Sequence, residues 1–144
     1  MKRSVMLTVT SLLSILFMTF HLSDEVVRGF EPGGVNNVTG GLILVVWLFG
    51  TLVLAGRRSG YIIMLLGSIA GFGVAVLHMT GAGLAGPRVV NSGRVLFWVW
   101  TLMTLQVTAL FSLILSVLGL WSLPWRRRAN KNRNERSASE LQSI

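Results

Sequence analysis

His21, Asp24, Glu25 and Arg28 stand at i, i+3, i+4 and i+7 within residues 17–31, FMTFHLSDEVVRGFE. On a helix that spacing brings all four to or near one face. Imidazole beside carboxylate suits two tasks: holding a cation, or moving a proton. The chain has two histidines and five acidic residues, and three of those acids lie in this stretch. The stretch also ends a hydrophobic run, where ionisable groups are expensive, so their clustering needs a cause.

The second histidine, His78, ends another apolar run. His21 lies about 26 Å along a helix from Ser4, and His78 about 27 Å from Gly60, at ~1.5 Å per residue. Both therefore sit just inside one boundary of a hydrocarbon core ~30 Å thick. The expected pocket combines His21, Asp24 and Glu25 with His78, and has Arg28, Glu31, Arg88 and Arg94 above it. As ligands to one ion, His21, Asp24 and His78 are the expected set, with Glu25 and Arg28 completing the pocket.

That chemistry needs helices to position it. The chain is 52% hydrophobic and 12% charged, against about 25% charged in soluble domains. The composition predicts an all-α polytopic membrane protein, a single four-helix transmembrane bundle over residues 1–125. Expected helices cover about residues 4–30, 40–56, 60–79 and 95–123. Glu31-Pro32-Gly33-Gly34 stops the first, since proline and paired glycines do not continue a helix. Arg57-Arg58-Ser59-Gly60 reads as the tight turn between the second and third. The basic start, Met1-Lys2-Arg3, resembles a signal peptide, but no small-x-small cleavage site follows, so the first helix is expected to be retained. Residues 126–144 read as a basic, disordered cytoplasmic tail.

Ten of the thirteen Lys and Arg residues fall on one side of these spans: Lys2, Arg3, Arg57, Arg58 and six in the tail. Positive charge stays inside, so both termini are expected in the cytoplasm and the pocket faces outward. The expected setting is a multi-pass protein of the bacterial cytoplasmic (inner) membrane. Its partners would be the lipid bilayer and anionic headgroups at the tail. Other membrane subunits or a second copy remain open as partners. The net charge of +8 does not point to nucleic acid, because the charges cluster at span ends. Trp98, Trp100, Trp121 and Trp125 are expected in the two interfacial aromatic belts. Gly67 and Gly71 have GxxxG spacing, which suits close packing inside the bundle or a dimer face. On that basis Gly71→Leu is expected to disrupt folding more than Gly50→Leu.

Three function classes share the pocket. The first is a binding or accessory protein that holds a cation or small ligand, with a divalent metal as cofactor. Haem held between the two histidines is the less favoured version, because adjacent acids are poor neighbours for propionates. The second is a small membrane enzyme using a His/carboxylate pair on a lipid-like substrate. The third is an accessory subunit of a larger complex, in which the polar cluster is structural. The chain lacks cysteine, which removes thiolate ligands and nucleophiles. No nucleotide fingerprint, phosphate loop or nucleophile elbow is present.

Overall fold

Among the described residues, four helices run alternately up and down, and each has an antiparallel neighbour. They are α1 (Lys2–Val27), α2 (Val35–Leu52), α3 (Arg58–Gly81) and α4 (Val95–Gln142). The computed structural model describes the backbone of residues 2–27, 35–81, 93 and 95–142, and side chains within 3–27, 38–78, 93 and 95–123. Arg28, Glu31, Arg88 and Arg94 lie outside the described side chains.

Among the described residues, three helices are long and apolar enough to cross a membrane: Arg3–Val27, Arg58–His78 and Val95–Leu123. The apolar part of α2, Val38–Leu52, is shorter. Its fifteen residues reach only ~22 Å at ~1.5 Å each, against a ~30 Å hydrocarbon core. α2 ends at Leu52, not near residue 56. The chain then turns over residues 53–57, where Gly56 takes a left-handed φ of 78° and the Arg57 amide donates to Leu54 O at 3.0 Å. α3 therefore starts at Arg58, inside the segment read from sequence as the turn. At the other end α4 does not stop near residue 123. Its backbone stays helical to Gln142, through the segment read as a disordered tail. That segment has neither glycine nor proline beyond Pro124, and its Arg, Lys, Glu and Ala residues favour helix.

Side-chain pairs give the register. Ser11 meets Thr51 across α1 and α2, while Gly50 meets Ile63 and Gly67 meets Trp47 across α2 and α3. Ser68 meets Ser112 and Gly119 meets Tyr61 across α3 and α4. α4 packs along both α1 and α3, and α2 covers their opposite side. The fully buried Leu105 and Ala109 lie on α4, close to Gly71 of α3.

Small residues permit this approach. A Cβ at position 67 would overlap the Trp47 indole at 2.3 Å, so Gly67 is the seat of that ring. GxxxG spacing here serves packing within the bundle. The expected contrast between Gly71 and Gly50 is reversed, however. A Cβ at Gly50 would meet Ile63 Cγ2 at 2.4 Å, whereas at Gly71 the nearest atom is 3.3 Å away. The reason is that α2 places Gly50 at a point of close approach to α3, against Ile63, and spacing within one helix does not reveal that point.

Hydroxyl groups tie the helices. The Trp47 Nε1–H donates to Ser11 Oγ at 2.9 Å, and Thr51 Oγ1 donates to the Trp47 carbonyl at 2.9 Å. A hydroxyl has one proton, so Ser11 is the donor in its 2.8 Å bond with Thr51. The result is a closed circuit starting and ending on Trp47, in which each donor is used once. Ser11 and Thr51 are fully buried, so in an apolar surrounding each bond also avoids an unsatisfied polar group.

Candidate metal centre

α1 and α3 run parallel, and their like ends carry His21 and His78. At that end the two Nε2 atoms lie 3.0 Å apart. Glu25, one turn beyond His21, completes a triangle: its Oε1 is 3.3 Å from each Nε2. The three ligating atoms face one another, and the described residues form one His/acid group able to hold a metal: His21, Glu25 and His78.

Local helix geometry explains which acid takes part. Residues at i+4 and i+3 fall to opposite sides of the starting residue on a helical wheel, at about +40° and −60°. In the bundle the Glu25 side of α1 faces His78 of α3. Asp24, expected as the carboxylate ligand, is outside the triangle and half-buried. Arg28, expected beside the pocket, lies outside the described residues.

Hydrogen bonding alone does not satisfy this triangle. Each edge needs one proton for a good bond, but a carboxylate oxygen supplies none and each Nε2 at most one. At least one edge then brings lone pair to lone pair, or N–H to N–H. A central cation satisfies all three atoms at once. Metal–ligand bonds of ~2.0–2.1 Å at the tetrahedral angle separate ligand atoms by ~3.3 Å, and at a right angle by ~2.9 Å. The observed edges span that range. Haem fits poorly: histidines on opposite sides of one iron require nitrogens ~4 Å apart, twice a ~2 Å bond.

Burial grades across the site. The His21 side chain is 0% exposed, Glu25 12% and His78 32%. Access is therefore from the His78 side. His21 Nδ1 is buried and has no hydrogen-bond partner among the described residues. A buried polar atom left without a partner costs roughly 1–3 kcal/mol.

Trp98 roofs the pair. Its ring centroid is 5.9 Å from that of His21 and 5.2 Å from that of His78, and the residue is only 4% exposed. Sequence reading assigned Trp98 to an interfacial belt. It is buried with Ala75 and Leu102, while Trp100 and Trp121 are exposed. A signal was present: Trp98, Leu102, Leu105 and Ala109 form an i, i+4, i+7, i+11 stripe. Comparison with protein-family models, with curated proteins and with solved structures finds no match to this chain.

Proposed function

We propose that this chain is a small integral membrane protein that binds a divalent transition-metal ion through His21, Glu25 and His78. The convergence of two Nε2 atoms and one carboxylate oxygen, with edges of 3.0, 3.3 and 3.3 Å, carries the reading. Two imidazoles and a carboxylate suit zinc, iron or manganese. Coordination through Nε2 leaves the His21 proton on the orphaned Nδ1. Its cost of ~1–3 kcal/mol is small beside metal binding energies of order 10 kcal/mol in structural zinc sites. Asp24 stands beside the site and outside its ligand set in this reading.

In the same reading α2 crosses the membrane with the other three helices, and both termini face the cytoplasm. The ten-to-three distribution of basic residues supports that orientation. The basic end of α4 then meets anionic headgroups.

Purified protein, loaded and desalted, tests the metal reading by elemental analysis. One equivalent of zinc, iron or manganese per chain is expected, and retention far below that sinks it. Reporter fusions test the topology. Fusions after Arg58 and Arg133 should report cytoplasm, and fusions at Gly34 and Gly86 the opposite side. Equal reports from Gly34 and Arg58 would mean that α2 does not cross.

A further inference from the structure

Gln106 lies on α4, eight residues beyond Trp98. Trp98 is level with the two histidines, so Gln106 stands ~12 Å deeper, near the middle of a ~30 Å hydrocarbon core. Around it, Thr101, Thr104 and Thr108 donate to carbonyls of their own helix at 2.9, 2.8 and 2.8 Å. The Gln106 side chain makes no hydrogen bond among the described residues. A carboxamide carries two N–H donors and an acceptor oxygen. Hydrocarbon satisfies none of them, which makes an unpartnered amide at this depth costly.

Position 106 is at the rim of the bundle. Leu102 and Ala109, at i−4 and i+3, are buried, whereas Met103 and Leu110, at i−3 and i+4, are exposed. The rim is the α3 side of α4: Val99, at i−7, packs against the cluster that contains Ala75 of α3. The other edge of α4 carries Trp100, whose ring centroid is 5.4 Å from that of Phe17 on α1. α2 leaves the rim uncovered. It meets α3 at Ile63 and Gly67, and among the described residues it makes no contact with α4. Along the rim Val99, Met103, Gln106, Leu110, Leu113 and Val117 recur at alternating intervals of four and three, all half-buried or exposed. That repeat suits the seam of a left-handed helix pair, the prevalent crossing in membranes.

The chemistry of the amide selects the partner. Having both donors and an acceptor, a carboxamide is its own complement. Two copies inserted in one orientation place α4 parallel to α4, and about a two-fold axis each seam residue faces its equivalent. The Nε2–H of Gln106 then donates to Oε1 of the partner's Gln106, and the reciprocal bond closes the ring.

We infer that this chain forms a parallel two-fold dimer through the α3-side rim of α4, joined near the bilayer centre by Gln106 of both copies. The inference rests on α4 spanning the bilayer and is independent of the metal centre.

The chain lacks cysteine, so single introduced cysteines report proximity without background. The full chain in phosphatidylcholine liposomes, oxidised with copper phenanthroline, should give disulfide dimers from Leu110→Cys. Phe111→Cys, also exposed but ~100° further round the helix, should give few. Energy transfer between donor- and acceptor-labelled copies, titrated against lipid, measures the dimer affinity. Gln106→Leu should weaken it about tenfold, the equivalent of ~1.4 kcal/mol, with its helical circular dichroism unchanged. Should Gln106→Leu fail to fold, the cysteine pattern in the chain that keeps Gln106 decides. Three outcomes overturn the inference and leave the metal reading untouched. Energy transfer is absent at every protein-to-lipid ratio; Phe111→Cys cross-links as well as Leu110→Cys; or folded Gln106→Leu dimerises as tightly as the wild type.

Discussion

The Nε2 atoms of His21 and His78 lie 3.0 Å apart, although the two residues are 57 positions apart in sequence. The parallel course of α1 and α3 brings them to one level, and Glu25 Oε1 faces both. If the three act as one site, their losses will not add. His21→Ala, Glu25→Gln and His78→Ala should each abolish most metal retention, and the His21→Ala/His78→Ala pair should lose little more. Groups sharing one ligand behave in this way. Elemental analysis of the four variants checks it. Three small, additive losses would show independent sites.

Asp24→Asn provides the contrast. Asp24 neighbours Glu25 but stands outside the triangle. Metal content should stay near that of the wild type, and affinity should change by less than about tenfold, or ~1.4 kcal/mol. A loss as large as that of Glu25→Gln would make Asp24 a ligand and require a different rotation of α1.

Protons compete with the metal for both imidazoles and for the carboxylate. Binding therefore releases protons, and the affinity should fall steadily on acidification. Metal titrations across acid to neutral pH, in buffers that do not chelate, measure the slope. A flat response would argue against histidine ligation.

Gly50 and Gly67 are two tight points between α2 and α3. A side chain would overlap Ile63 at the first and the Trp47 indole at the second. Gly50→Leu and Gly67→Leu should each destabilise the bundle by roughly 1–3 kcal/mol or more, the usual penalty for overpacking. Gly71→Ala should be milder, since its Cβ would meet its nearest neighbour at 3.3 Å. Detergent or thermal unfolding ranks the three. A Gly71→Ala variant less stable than Gly67→Leu would contradict the packing.

The circuit through Trp47, Ser11 and Thr51 predicts coupling. Ser11→Ala removes both the acceptor for Trp47 and the donor to Thr51. Interhelical hydrogen bonds of this kind average ~0.6 kcal/mol in membrane proteins, with a maximum near ~1.7. Ser11→Ala and Thr51→Ala should each cost about that much, and the double variant less than their sum. Full additivity in unfolding experiments would mean that the bonds act separately.

Residue types along the chain already determine the all-helical character, the apolar runs and the common depth of the two histidines. Hydropathy and the ~1.5 Å rise per residue act along one axis, so they can be read in one dimension. The same one-dimensional reading brings His21 and His78 within reach of a single carboxylate. It does not choose between Asp24 and Glu25, which flank the direction of His21 on the helix. That choice depends on how far α1 is rotated within the packed bundle. Trp98 illustrates the same limit. Its type suits an interface, yet the tertiary structure closes it over the two imidazoles. Gly50 is a third case, because closest approach is a property of two helices together. Depth comes from the local chain, while facing and distance between helices come only from the packed bundle.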